Sequence, residues 1–214
     1  AEKRNHQKLG QELELFMSIE EAPGMPFFLP NGMIIPNELE NYWKQKHYKA
    51  GYQEIKTPIM MKQELWEQSG HWEHYHENMY FSNVDEQNYA IKPMNCPGAI
   101  LLFSSKRRSY RELPIRYAEL GLVHRHELSG SLNGLLRVRS FTQDDAHLFV
   151  ELSQIEAEIS RILAFIHDFY SHFGFDYKVE LSTRPEKFMG NIETWNQAEK
   201  SLQSVLSEKS LDYQ

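Results

Sequence analysis

The alternation of side chains in "LLRVRSFTQDDAHLFV", residues 135–150, limits the fold of this chain more than any other feature. A strand sends successive side chains to opposite faces. Arg137, Arg139, Phe141, Gln143 and Asp145 are therefore expected on one face, with His147 continuing it. The preceding "PIRYAELGLVHRHEL" reads as a strand pair or one long bent strand, on which Arg125 and Glu127 project the same way. The loop "SGSLNG" joins the two stretches like a hairpin tip. With further strand signals elsewhere, a helical bundle is excluded, and the expected class is α+β, an antiparallel sheet flanked by helices.

The rest of the chain fits that class. Residues 3–16 carry Leu9, Leu13 and Phe16 at helical spacing. "EEAPGMPFFLPNGM" suggests a turn, a short strand and a tight turn at Asn31-Gly32. "IPNELENYWKQKHYKAGY" reads as a helix, with Pro36 near its first turn and Gly51 past its end. "YQEIKTPIMM" alternates like a strand until Pro58 interrupts it. Residues 87–103 read as a strand, a cysteine loop and a helix start. Residues 153–173 form an amphipathic helix with Ile155, Ile159, Ile162, Ile166 and Phe169 as its stripe, and Ser153 with Glu156 fits a capping box. "FDYKVELST" reads as a strand, residues 192–208 as a last helix, and "LDYQ" as the start of another strand.

Composition narrows the function. The chain has 214 residues, one cysteine and a formal net charge of −7. That balance argues against binding nucleic acid through bulk positive charge, although a local basic site remains compatible with it. No stretch has the apolar length of a membrane span, the charged N-terminus does not read as a signal peptide, and the single thiol fits a reducing cytoplasm.

Two arginines, an aromatic and an amide–carboxylate pair on one strand face suit a nucleotide, with guanidinium on phosphate and ring on base; a solvated edge-strand face is the competing reading. Cys96, in "IKPMNCPGA", and His147 form a zinc-type donor pair, but two donors do not make a site, and a lone cysteine is commonly a small buried residue. "GHWEHYHENM" could bring His71 and His74 to one helix face with His76 turned aside, and reads mainly as a polar, aromatic surface segment. Lys106, Arg107, Arg108, Arg111 and Arg116 make a basic run, either a solvated helix end or a phosphate-backbone contact.

Taken together, "GYQEIKTPIMM", "VHRHELSG" with "LLRVRSFTQDDAHLF", "KPMNCPG", "LWEQSGHWEHY", "SYRELPIR", "APGMPFFLPNG" and "LSTRPEK" resemble the catalytic domain of the class II aminoacyl-tRNA synthetases, specifically the threonyl-tRNA synthetase family. The resemblance runs over nearly the whole chain and implies a single catalytic core over residues 1–214. It implies activation of threonine with ATP and transfer to tRNA(Thr) in the cytoplasm. It assigns the ATP α-phosphate to Arg125, the γ-phosphate to Arg137, adenine to Phe141 and ATP placement to Glu127. Gln143 is assigned to the threonyl group, Asp145 to the threonine hydroxyl and Met94 to the pocket wall. Cys96 and His147 become Zn2+ ligands, Mg2+ accompanies ATP, and the region of Pro58 becomes a homodimer interface. The family's third motif and third zinc ligand are expected beyond Gln214, as are its editing and anticodon-binding domains outside this chain, so the core is expected to be truncated. Ala99, Ser140, Pro36 and Asn5 depart from the family's usual histidine, glycine, arginine and aspartate. The alternative is a synthetase-derived chain without catalysis, acting as a binding, dimerisation or RNA-regulatory module.

Overall fold

The computed structural model describes residues 2–186, 188–209 and 213. Asn5 opens the first helix, α1 (His6–Glu12): its side-chain oxygen accepts from the backbone N–H groups of Gln7 and Lys8, which a helix start leaves without partners. The helix stops short of Phe16. Glu14 takes a left-handed backbone with φ 52°, and Phe16–Met17 becomes β1, pairing antiparallel with β2 (Phe27–Phe28) so that Phe16 faces Phe28. The helical spacing of Phe16 is thus overruled by a cross-strand aromatic pair.

Helix α2 (Ile34–Lys49) follows as expected, with Pro36 in its first turn and Gly51 just after its end. Pro58 then divides its segment between two sheets. β3 (Gln53–Glu54) runs parallel to β7 (below), whereas β4 (Met60–Lys62) pairs antiparallel with β6. Between them in sequence come the short helices α3 (Gln63–Gln68) and α4 (His71–Tyr75). Trp66 is fully buried and forms a core cluster with Met79 and Ala90, against which Met61, Trp72 and Tyr75 pack. The segment around His71 keeps Glu73, His74, His76, Glu77 and Asn78 exposed, while Trp72 and Tyr75 pack on this cluster and Met79 is buried in it. β5 (Tyr80–Val84) and β6 (Gln87–Ile91) form a hairpin closed by Asp85 and Glu86 at φ 51° and 61°, the two left-handed positions of a tight hairpin turn.

Helix α5 (Cys96–Ser104) begins at the cysteine, with Pro97 in its first turn. β7 (Ile115–His124) is one long strand and neighbours β8 (Ser140–Phe149) in the sheet ordered β3-β7-β8. The connecting loop folds on itself: a 3-10 turn covers Ser129–Ser131, Asn133 bridges Arg137, and Arg125 N–H donates to the Arg139 carbonyl at 2.9 Å. Strand periodicity therefore starts at Ser140, and Arg137 and Arg139 belong to the loop.

These elements of mixed helix and antiparallel sheet lie almost entirely in a first compact unit, Ala1–Arg108 with Arg116–Leu148. A second unit, Ser109–Ile115 with Phe149–Gln214, holds α6 (Ile155–His172) and α7 (Ile192–Glu208), which pack on each other. The cap before α6 is a reciprocal Glu151–Gln154 pair rather than Ser153 with Glu156, because a 3-10 turn at Leu152–Gln154 moves the start upstream. Val205 and Leu206 of α7 are buried, whereas the α6 stripe is only half-buried. "FDYKVELST" forms no strand among the described residues; Val179 makes one isolated bridge with Tyr213. The other residues of "LDYQ" lie outside the described residues. No described helix is long and apolar enough to cross a membrane.

Candidate active site

β8 presents Phe141, Gln143, Asp145 and His147 on its more covered face, alternating with exposed Thr142, Asp144 and Ala146. The opposite face is locked by α2. Trp43 Nε1–H donates to Asp144 Oδ1 at 2.5 Å, and His47 Nε2 lies 3.3 Å from the same oxygen. A one-residue slip would reverse both faces at once, so this anchor holds the four site residues in register.

The segment 92–96 meets that face. Asn95 is fully buried, and its Nδ2 donates to Gln143 Oε1 at 3.2 Å and to Asp145 Oδ2 at 2.9 Å. Room for the amide comes from Gly121 on β7: a Cβ there would lie 2.3 Å from Asn95 Nδ2 and Oδ1. Among the described residues Asn95 Oδ1 has no hydrogen-bond partner, an omission costing about 1–3 kcal/mol. Lys92 and Glu119, each 1 % exposed, lie beneath. Lys92 Nζ donates to Thr57 Oγ1 at 2.7 Å and lies 3.6 Å from Glu119 Oε2, while Thr57 donates its backbone N–H and hydroxyl to Glu119. Burial holds the Lys92 ammonium below the usual lysine value, opposed by Glu119.

Arg125 is held from two sides. Its Nε donates to the Pro93 carbonyl at 3.1 Å, and its guanidinium lies 5.2 Å from the Phe141 ring centroid. Arg137 makes a forked pair with Glu127 Oε2, with Nε at 3.1 Å and Nη2 at 3.0 Å. The Arg137 side chain is 58 % exposed, so this pair is worth under about 1 kcal/mol and opens readily. Arg139 differs: it is buried and spends its donors on the Glu127 and Pro23 carbonyls and on Ser129 Oγ. It pins the loop and does not extend the β8 face.

Met94 Sδ lies 3.2 Å from His71 Nε2, and His71 Nδ1 lies 2.8 Å from Ser69 Oγ. Burial holds His71 below the usual histidine value despite its bond to the Ser69 backbone, so the ring is neutral at pH 7. Burial, then the Asp145 charge, pushes the Cys96 thiol up. Among the described residues, no three His, Cys, Asp or Glu side chains come together as a metal site, Cys96 and His147 included. In the basic run, Arg108 is committed to the Phe103 carbonyl and Tyr117 hydroxyl, while Lys106, Arg107 and Arg111 are exposed. Sequence reasoning missed Asn95, Lys92, Thr57 and Glu119; the one available signal was Glu119, a lone acid inside the apolar run of β7.

Comparison with known proteins adds the following. The signature of the tRNA synthetase class II core domain (G, H, P, S and T) matches residues 79–213. Threonine–tRNA ligases of Carboxydothermus hydrogenoformans and Acetivibrio thermocellus are 62 % and 61 % identical over 213 residues, covering 100 % of this chain and 34 % of each relative. The chain thus spans about a third of the length of these curated relatives. The RNA binding domain of threonyl-tRNA synthetase from Cryptosporidium parvum Iowa II superposes with TM-score 0.93 at 41 % identity, over 98 % of this chain and 53 % of that one. Giardia lamblia prolyl-tRNA synthetase, in complex with prolyl-adenylate, shares the fold alone: TM-score 0.71 at 20 % identity, over 79 % of this chain and 35 % of that one.

Proposed function

Because this chain belongs to the tRNA synthetase class II core domain family, we propose that it carries the threonine-activating site of a threonine–tRNA ligase. The observation that carries the reading is the face of β8: Phe141 under the Arg125 guanidinium, then Gln143 and Asp145 joined through Asn95. A nucleotide fits the first half and a small hydroxylated amino acid the second. The threonine carboxylate attacks the α-phosphorus of ATP and pyrophosphate leaves; a terminal ribose hydroxyl of tRNA(Thr) then takes the acyl group from the adenylate, and AMP leaves.

Little covalent work falls to the protein, whose part is alignment and charge stabilisation. Arg125, with only Nε engaged among the described residues, offers its remaining N–H groups to the α-phosphate. Arg137 leaves its weak pair with Glu127 for the γ-phosphate, and Glu127 stays to place the nucleotide. Phe141 stacks on adenine, Gln143 donates to the threonyl carbonyl, and Asp145 accepts from the threonine hydroxyl beside Met94. Valine offers no hydroxyl and would leave Asp145 unpaired, the kind of mismatch that discriminates strongly. Mg2+ travels with the ATP phosphates. For Zn2+, Cys96 and His147 are two donors of the right chemistry, and a four-coordinate ion would need others that the described residues do not supply. Pro58, Ile59 and Met60 are exposed beside β4, which supports a homodimer contact there, and the reaction is assigned to the cytoplasm.

The test is amino-acid-dependent ATP–pyrophosphate exchange. Exchange with threonine and serine, and far weaker exchange with valine, is expected. No exchange from a demonstrably folded chain would favour the non-catalytic binding, dimerisation or RNA-regulatory module.

A further inference from the structure

We infer that Asn95 is a positioning residue that sets the hydrogen-bond polarity of the amino-acid pocket; this rests on the threonine-site reading above. A carboxylate only accepts, so the Asn95 atom 2.9 Å from Asp145 Oδ2 is the amide nitrogen. The same nitrogen lies 3.2 Å from the Gln143 side chain, which must therefore turn its oxygen inward. Gln143 is then left with Nε2–H as its outward group, and Asp145 with Oδ1. One buried amide makes position 143 a donor and position 145 an acceptor, the pattern that matches a carbonyl oxygen beside a hydroxyl.

The Asn95 side chain is fully buried, and its amide packs where a Cβ at Gly121 would collide with it. Reversing the amide would set its oxygen against the Asp145 carboxylate and the Gln143 oxygen together. Among the described residues its own Oδ1 has no partner, so the two donor bonds to β8 are the side-chain hydrogen bonds that hold it there. An aspartate would fill the same slot but could donate to neither group. Gln143 would be free to flip, and Asp145 would be pushed away.

The experiment compares the protein at full length with Asn95→Asp and Asn95→Ala, reading kcat/KM for threonine and for valine in pyrophosphate exchange and the KM for ATP. Both variants are expected to lose about 100-fold for threonine, the scale of a misplacement of about 1 Å. The valine rate should change far less, so the threonine-to-valine ratio falls by a similar factor while the KM for ATP stays within about threefold. Far-UV circular dichroism melting reports whether each variant is folded; Asn95→Ala carries the test where the carboxylate prevents folding. A residue with only a structural role would lower both amino acids alike and leave the ratio unchanged, and that result overturns the inference. A parent protein that exchanges with threonine over valine, beside variants of unchanged ratio, refutes the role of Asn95 and leaves the threonine site standing. A folded parent without threonine-dependent exchange refutes both.

Discussion

Replacing Lys92 by methionine is the sharpest probe of how this fold is held beneath its site. The side chain keeps an unbranched apolar stem and loses the ammonium at its end. In the parent, Lys92 Nζ lies 2.7 Å from Thr57 Oγ1, 3.3 Å from the Thr57 carbonyl and 3.6 Å from Glu119 Oε2, with lysine and glutamate both 1 % exposed. Removing one member of a buried ion pair costs about 3–5 kcal/mol, because the other charge stays buried without compensation. Glu119 is not left bare: the Thr57 N–H still donates to it at 3.0 Å and the Thr57 hydroxyl at 3.0–3.1 Å. Those bonds place Lys92→Met at the lower end, about 3 kcal/mol, against a typical domain stability of about 5–15 kcal/mol. Glu119→Gln should cost less, since burial already biases Lys92 toward its neutral form. The double variant Lys92→Met/Glu119→Gln removes both charges and keeps an acceptor for the Thr57 N–H, so it should recover to within about 1–2 kcal/mol of the parent. Urea unfolding followed by circular dichroism reads all three. With a slope of about 2 kcal/mol per M, the single variant moves the midpoint down by about 1.5 M. A loss below about 1 kcal/mol for Lys92→Met, or a double variant no better than the single, would refute the buried-pair account.

Arg137→Ala should cost under about 1 kcal/mol of stability, because its pair with Glu127 is exposed, yet raise the KM for ATP about tenfold; an unchanged KM with a lowered melting temperature would mean Arg137 serves only the loop. Gly134→Ala should destabilise by more than about 1 kcal/mol, since Gly134 has φ 50° and a Cβ there would lie 2.1 Å from His6 Nε2; a melting temperature equal to the parent's would count against the His6–loop contact. Stability should also fall below pH 6.5. Burial holds His71 and His124 below the usual histidine value, so the unfolded chain takes up protons first. Each then contributes a slope of up to about 1.4 kcal/mol per pH unit until its folded value is passed. Urea midpoints at pH 7.5, 6.5 and 5.5 test this, and a flat series would contradict it.

How far the sequence could be read depends on the range of the interaction. The β8 face was legible because alternation is local and the exposed Asp144 faces away from its neighbours. Helix α2 was legible from Pro36 in its first turn and Gly51 just past its end. Arg139 was misplaced because its partners, Pro23 and Glu127, are 116 and 12 residues away, and no periodicity records a loop that pairs with itself. The same holds for Lys92, whose Thr57 partner is 35 residues distant, and for Asn95, whose partners are 48 and 50 residues distant. A single polar residue buried by tertiary contact leaves no pattern in its own neighbourhood. The hairpin at Asp85-Glu86 escaped for another reason: left-handed backbone at two acidic residues is uncommon where Asn-Gly would advertise the turn.

The placement of the only cysteine follows from these long-range bonds. Five consecutive residues each engage a different part of the site. Lys92 engages Thr57 and Glu119, the Pro93 carbonyl accepts from Arg125, Met94 Sδ meets His71, Asn95 bridges Gln143 and Asp145, and Cys96 feels the Asp145 charge. Successive residues of a mobile loop could not keep five such registrations at once. Pro93 fixes one backbone torsion on one side of the cysteine, and Pro97 opens helix α5 on the other. The Lys92 backbone adds two anchors, its N–H donating to the Ile59 carbonyl at 2.8 Å and its carbonyl accepting from His124 N–H at 3.1 Å. A rigid segment of this kind couples the stability of its contacts: Lys92 and Asn95 are held by one short stretch of backbone, so loosening either weakens the hold on the other. The coupling is testable as non-additivity. Asn95→Ala combined with Lys92→Met should lose less stability than the sum of the two single changes, because either one alone already loosens the shared segment.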